Sequence, residues 1–277
     1  MQRVKIIKPE RVPLKQKTVT IKPNVENSKV ERNNRPPDNG VRPPNNGVKD
    51  RQDRFVKSLQ PINQKSKNEK QEFRKYGKIE QTLKDKTVFL IAGGPSLKDF
   101  DFSSLKGKNV IAINKAFMYL PEYQYLYWTD SRFYTWYKND IDKQECKKYT
   151  PCINPNDVSG NITVLKNSGG RIIDLTTPDS ITAGNNSGFG AISLAIKLGA
   201  SKIYLLGYDM GYTGNKTHFH DGYPSNTAKQ SVYNSMLKYF EDNADIIKSV
   251  VKIYNTSATS NLKCFDYCDI NIAISTS

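Results

Sequence analysis

The chain has 277 residues and carries 42 Lys/Arg against 27 Asp/Glu, a formal net charge of +15. That charge is uneven: residues 1–80 hold 21 basic and 9 acidic side chains, a net of +12, which leaves +3 for residues 81–277. Nothing approaches the roughly 18 consecutive apolar residues of a membrane span, Met1-Gln2-Arg3-Val4-Lys5 opens no signal-peptide core, and four cysteines are too few for a disulfide-built scaffold.

Residues 1–80 are rich in Lys, Arg, Asn, Gln and Pro, with no sustained apolar period. Such a segment buries too little surface to offset the entropy of ordering, and it is expected to be a disordered basic tail. Within it Arg35-Pro36-Pro37-Asp38-Asn39-Gly40-Val41 is followed by Arg42-Pro43-Pro44-Asn45-Asn46-Gly47-Val48. Paired prolines favour polyproline II and Asn-Gly favours turns, so the repeat reads as a semi-extended spacer. A tail of this charge is suited to non-specific attachment to nucleic acid, or to a protein partner, in a salt-sensitive way.

Residues 81–277 read as one domain. Thr87-Val88-Phe89-Leu90-Ile91-Ala92 is a continuous apolar run ending in two glycines, as in a buried parallel strand that feeds a turn. Runs 109–114 and 123–128 have the same character, and the three exits deliver Ser96, Asn114 and Asp130. Runs 162–165 and 171–175 are expected to be short strands. Residues 187–198 show helical spacing of Phe189, Ile192 and Ile196 with small residues between, and Gly199 ends the segment. A strand over 202–209, a long amphipathic helix over 226–247 and a strand over 250–255 complete the series. This alternation predicts an α/β fold, a Rossmann-like, mostly parallel sheet flanked by helices. In such sheets the carboxyl ends of the strands open into one crevice, where Ser96, Asn114 and Asp130 are expected to meet.

Four segments carry chemistry. In Ala92-Gly93-Gly94-Pro95-Ser96-Leu97 the glycines allow close approach of a phosphate to free amides, and Ser96 adds a hydroxyl; the alternative is a turn that serves geometry alone. Thr182 to Gly190, with Asn186, Ser187 and Gly188 at the entry to a helix, offers a cap hydroxyl and unpaired amides at the positive end of the helix dipole; Ser187 acting only as a cap is the plain alternative. The exit Gly207-Tyr208-Asp209 is followed by Thr217-His218-Phe219-His220-Asp221, which holds both histidines of the chain. Either imidazole suits proton transfer near neutrality, or with Asp209 or Asp221 holds a divalent metal; two histidines alternating in an extended segment should point to opposite sides. Last, Asp130 is placed to accept from a ribose or base and Arg132 to pair with a phosphate, whereas Trp136 reads as the core of a packed helix. The cysteines, Cys146, Cys152, Cys264 and Cys268, read as reduced thiols, since a zinc site would need both pairs to converge.

Taken in order, Ile91-Ala92-Gly93-Gly94-Pro95-Ser96-Leu97-Lys98, Ile113-Asn114, Ser187-Gly188 and Leu205-Leu206-Gly207-Tyr208-Asp209 resemble the motif series of the small bacterial lipooligosaccharide sialyltransferases. They also resemble a related family that includes archaeal 6-hydroxymethylpterin pyrophosphokinases and uncharacterised bacteriophage proteins. The phage members are nearest in pattern, sharing Asp-x-Arg-Phe-Tyr, Asn-Ser-Gly, Leu-Gly-Tyr-Asp and a His-x-His loop. The resemblance spans about residues 87–270 and departs from the sialyltransferases at Ala92-Gly93, where they carry Gly-Asn, the Asn touching the donor. It implies a cytidine-monophosphate sugar donor held by Gly93, Gly94, Ser96, Asn114 and Ser187, with His218 or His220 deprotonating an acceptor hydroxyl. The pyrophosphokinase branch implies ATP and Mg2+, with Asp130 and Asp209 as metal ligands. Three functions follow: a glycosyltransferase, a Mg2+-dependent phosphotransferase, or a non-enzymatic virion or nucleic-acid-tethered binding protein. A cytoplasmic protein is expected, in the host cytoplasm or the virion if it is of phage origin.

Overall fold

The computed structural model describes residues 75–158, 160–224 and 229–277. The expected tail lies outside the described residues as far as residue 74. Beyond it the chain joins the domain before residue 81: Gly77 N donates to Val164 O and Ile79 N to Pro178 O, each at 2.9 Å.

The strands in chain order are β1 (Thr87–Ile91), β2 (Asn109–Ile113), β3 (Tyr125–Tyr127), β4 (Lys147–Thr150) and β5 (Ile162–Val164). A separate short ladder, β6 (Lys166–Asn167) with β7 (Ser180–Ile181), precedes β8 (Lys202–Leu206), β9 (Lys252–Asn255) and β10 (Asp266–Tyr267). The main sheet runs β10-β9-β8-β1-β2-β3-β4-β5, and every neighbouring pair in it is parallel. The chain starts at the centre with β1, builds outward to β5, then returns to the other side of β1 as β8. The order therefore reverses between β1 and β8, and the crevice beyond their carboxyl ends is where open sheets of this kind take ligands.

The central strands β1, β2 and β8 are largely apolar because both faces of the sheet are covered there. Val88, Leu90, Ile111, Ile113, Ile203 and Leu205 pack into one core, while Phe89, Ile91, Val110, Ala112, Tyr204 and Leu206 pack into the other. Among the described residues four α-helices appear: α1 (Ser131–Asp142), α2 (Ser187–Lys197), α3 (Gln230–Val250) and α4 (Ile270–Ser275). Helix α2 lies against β1 and β2, and its Phe189, Ile192 and Leu194 are fully buried, each contributing about 2 kcal/mol of transfer free energy. No helix of the described residues is long and apolar enough to cross a membrane.

Two local readings are corrected. Residues 171–175 form no strand, because their backbone bonds go to side chains: Ile173 N donates to Asn243 Oδ1 and Asp174 N to Thr182 Oγ1, and the Asp174 carboxylate accepts from Thr176 N. The cap of α2 is Asn186, whose Oδ1 accepts from Phe189 N at 2.8 Å, and Ser187 is the first helical residue.

Candidate functional site

A cavity of about 360 Å3 opens over the β1/β8 switch point, and its walls include Gly93, Gly94, Asn114, Asp130, Asn186, Ser187, Gly188, Asp209 and His218. Of the residues expected at the site, Ser96 and His220 do not line it.

The floor is the turn after β1, clamped to the turn after β8. Gly94 N donates to Gly207 O at 2.9 Å, and a Cβ on Gly94 would sit 1.9 Å from Asp209 Oδ2 and 2.3 Å from Gly207 O. Gly207 has φ +71°, and a Cβ there would lie 2.9 Å from Ala92 O. Two glycines are thus needed for the two exits to touch, one for space and one for space and conformation. The nearly buried Asp209 is the strut of the clamp. Its Oδ2 accepts from Ser96 Oγ at 2.8 Å and from Ser96 N at 3.4 Å, and its Oδ1 accepts from Ser257 Oγ at 3.1 Å. The Ser96 hydroxyl, expected on the ligand, is spent on this carboxylate.

The opposite wall joins β2, β3 and α2 through one hydroxyl. Ser187 Oγ donates to Asn114 Oδ1 at 3.1 Å and accepts from Thr129 N at 3.2 Å; having no second proton, it accepts the Thr129 hydroxyl, 2.8 Å away. Asn114 has φ +50°, a conformation Asn tolerates better than most residues. Among the described residues the amide hydrogens of Gly93, Ser187 and Gly188 have no acceptor, so three unpaired donors stand on residues that line one cavity. Two belong to the first turn of α2, where the dipole supplies about half a positive charge. The chemistry this favours is the binding of an anion.

The loop after β8 folds back over the glycine turn. Phe219 N donates to Gly93 O at 3.0 Å, and Lys115 Nζ holds Gly222 O at 3.0 Å. Both imidazoles lie on the same side, contrary to the alternation expected of an extended segment: their rings stack with centroids 4.9 Å apart, and a Cβ on Gly93 would meet His218 Cδ2 at 2.9 Å and His220 Nε2 at 3.2 Å. The loop is not a strand, so period-two logic does not apply. Burial, followed by the Lys115 charge, lowers the pKa of His218 below 6.5. Burial, then His218, then Lys115 take His220 to about 3. Both rings are neutral at neutral pH. His218 Nδ1 lies 2.8 Å from Thr217 Oγ1; when it donates there, Nε2 carries the free lone pair.

Asp130 caps α1 and is bound by Arg132, with Nη2 to Oδ2 at 2.6 Å and Nε to both oxygens at 3.1 Å; the guanidinium holds its carboxyl below the usual range. Trp136 is not core. It is half-buried, lies 6.3 Å from the Tyr223 ring, carries the Arg132 guanidinium over its face at 5.7 Å, and lines a small side pocket of about 120 Å3 with Asn114, Phe133 and Tyr223. Lys115 and Tyr223 are the residues sequence reasoning missed. Lys115 directly follows Asn114 and Tyr223 closes the His-x-His loop, so adjacency to known candidates was the available signal. Burial raises the Tyr223 hydroxyl well above its usual value, and Tyr223 lines the side pocket together with Asn114. Among the described residues no three His, Cys, Asp or Glu side chains gather as a metal cluster, and all four cysteines are free.

Fold and site together define an α/β domain whose switch-point crevice sets unpaired backbone amides beside a histidine. Among solved structures the chain is similar to the sialyltransferase CstII from Campylobacter jejuni in complex with cytidine-5'-monophosphate, at 20% identity and a TM-score of 0.43, covering 68% of this chain and 87% of that one. It is similar also to CstII with CMP-3FNeuAc, at 22% identity and a TM-score of 0.42, covering 68% and 88%. No family model matches the chain, and neither does the sequence of any curated protein.

Proposed function

We propose that the domain is a glycosyltransferase that moves a sugar from a nucleotide-sugar donor, a CMP-sugar by its motif pattern, to an acceptor hydroxyl. The observation that carries the reading is the placing of neutral His218 in the same cavity as the unpaired amides of Gly93, Ser187 and Gly188. The donor phosphate meets those amides. His218 Nε2 takes the proton of the acceptor hydroxyl as its oxygen bonds the anomeric carbon; the bond from that carbon to the phosphate oxygen breaks, and the nucleotide leaves with the electron pair. General-base assistance of this kind contributes about 10²–10⁴ in rate. The preformed amides stabilise the departing charge with little reorganisation. Asn114, held by Ser187, borders the nucleotide, and Asp209 acts by holding the two turns together.

The donor set fits a Mg2+-dependent phosphotransferase poorly, because Asp130 is bound by Arg132 and Asp209 by Ser96 and Ser257. A thermal-shift panel of CMP-sugars, UDP-sugars, and ATP with and without Mg2+ tests the assignment. A ligand at a hundredfold excess over Kd stabilises by about 2.7 kcal/mol. The expected result is a shift with a CMP-sugar that survives chelation; a shift confined to ATP with Mg2+ replaces glycosyl transfer by phosphoryl transfer.

A further inference from the structure

The ring of His218 is the end of a stack. Tyr119 faces His220 with centroids 5.8 Å apart and planes 15° apart, and His220 faces His218 at 4.9 Å and 24°. Tyr223 stands edge-on to both imidazoles, at 5.2 and 5.3 Å, and Phe219 packs edge-on against Tyr119 and His220 at 5.2 and 5.1 Å. The stack starts on firm ground, since Tyr119 closes the 3₁₀ turn (Asn114–Met118) that follows β2, its N–H bonded to Ala116 O.

His220 is unsuited to the proton transfer given to His218. Its Nδ1 accepts from Gly222 N at 3.0 Å, which leaves the proton of the neutral ring on Nε2. That Nε2 is buried and has no acceptor among the described residues, and His220 does not line the main cavity. A buried donor left unpaired is costly, and the one bond the ring makes, from Gly222 N two residues on, ties it only to its own loop. Stacking on Tyr119 ties it beyond that loop. The loop that carries His218 has little regular structure, and a side chain on such a loop visits several rotamers unless packing removes them.

We infer that His220 is a positioning residue: sandwiched between Tyr119 and His218, it fixes the His218 imidazole over Gly93 and so aims the base at the cavity. This rests on His218 being the base of the proposed transfer. Misplacement of a reacting group by about 1 Å costs roughly a hundredfold in rate.

The chain has two histidines, so its ¹⁵N-imidazole spectrum is simple to assign. In the full-length protein and in His220→Phe, which keeps an aromatic ring in the stack, the His218 nitrogens should report one tautomer. In His220→Ala they should average. Turnover of a CMP-sugar should follow, with kcat down about 10–100-fold in His220→Ala at unchanged donor KM and recovered to within about threefold in His220→Phe. The inference is overturned if His220→Phe is as impaired as His220→Ala, or if His220→Ala leaves the tautomer and kcat of the wild type. Should the wild type turn over no nucleotide sugar, the glycosyl reading fails by itself, and the tautomer comparison still decides the stack.

Discussion

Ser96 Oγ donates to Asp209 Oδ2 at 2.8 Å across 113 positions of sequence, tying the exit of β1 to the exit of β8. Ser257 Oγ reaches the other oxygen of the same carboxylate at 3.1 Å, so one side chain closes the crevice from three segments. Asp209→Ala leaves those donors without their acceptor and should cost about 3 kcal/mol in urea unfolding, with an unchanged m value. Ser96→Ala should cost about 1 kcal/mol, since the serine is exposed. If Asp209→Ala instead unfolds like the wild type and loses only turnover, the carboxylate is catalytic rather than a strut.

The two adjacent glycines should fail in different ways. A Cβ on Gly94 meets Asp209 Oδ2 at 1.9 Å and Gly207 backbone at 2.3 Å, neither of which can yield without parting the strands. A Cβ on Gly93 meets the edges of two imidazoles at 2.9 and 3.2 Å, which can swing with their loop. Gly94→Ala should lose well over 3 kcal/mol and be recovered largely unfolded, whereas Gly93→Ala should stay within about 1 kcal/mol of the wild type and lose turnover. Circular-dichroism melts beside a donor-turnover assay separate the two; equal melting temperatures would contradict the clamp.

How much of this was legible beforehand depends on what carries each feature. The central strands β1, β2, β8 and β9 announce themselves as apolar runs because both faces are covered. Strand β4 does not, since Lys147-Lys148-Tyr149-Thr150 looks like surface; Lys148 is buried only because its Nζ finds Gln144 O and Asn161 Oδ1. The meeting of Asn114, Asp130 and Asp209 followed from strand exits sharing one crevice, which Ser187 reaches from the start of α2. Which hydroxyls remain free did not follow, because a sequence shows that Ser96 and Ser187 carry donors but not that Asp209 and Asn114 have already taken them. The stacked histidines were hidden for a similar reason: the shape of their loop comes from long-range contacts with Gly93 and Lys115, not from local periodicity.

The hydroxyl of Ser187 offers a test of which atoms meet the ligand. It bridges Asn114 and Thr129 and has no proton left to donate. Ser187→Ala should therefore destabilise the fold by about 1–2 kcal/mol while changing nucleotide Kd less than about threefold, because the amide stays in place. Asn186→Ala, which removes the cap of α2, should cost about 1 kcal/mol. Isothermal titration with CMP beside urea melts distinguishes these outcomes, and a tenfold loss of affinity in Ser187→Ala would return the hydroxyl to the ligand.

The pH dependence follows from the buried imidazoles. Both fold with pKa values below their unfolded value of 6.5, through burial first and nearby positive charge second, and His220 falls to about 3. Below pH 6.5 the unfolded chain binds protons that the folded chain refuses, so stability rises with pH; the contribution of these groups is complete above 6.5 and drains away as pH falls toward 3. The urea midpoint should be lower at pH 5 than at pH 7, and the drop should be shallower in His220→Phe, which has one fewer imidazole to protonate. Turnover should follow an acid limb with a midpoint below 6.5, set by His218 in the free enzyme. Lys115 lowers both rings, so Lys115→Met should move that limb to higher pH even where the lost bond to Gly222 O reduces the rate itself. A limb that stays in place in Lys115→Met would show that the ionisation governing turnover belongs to another group.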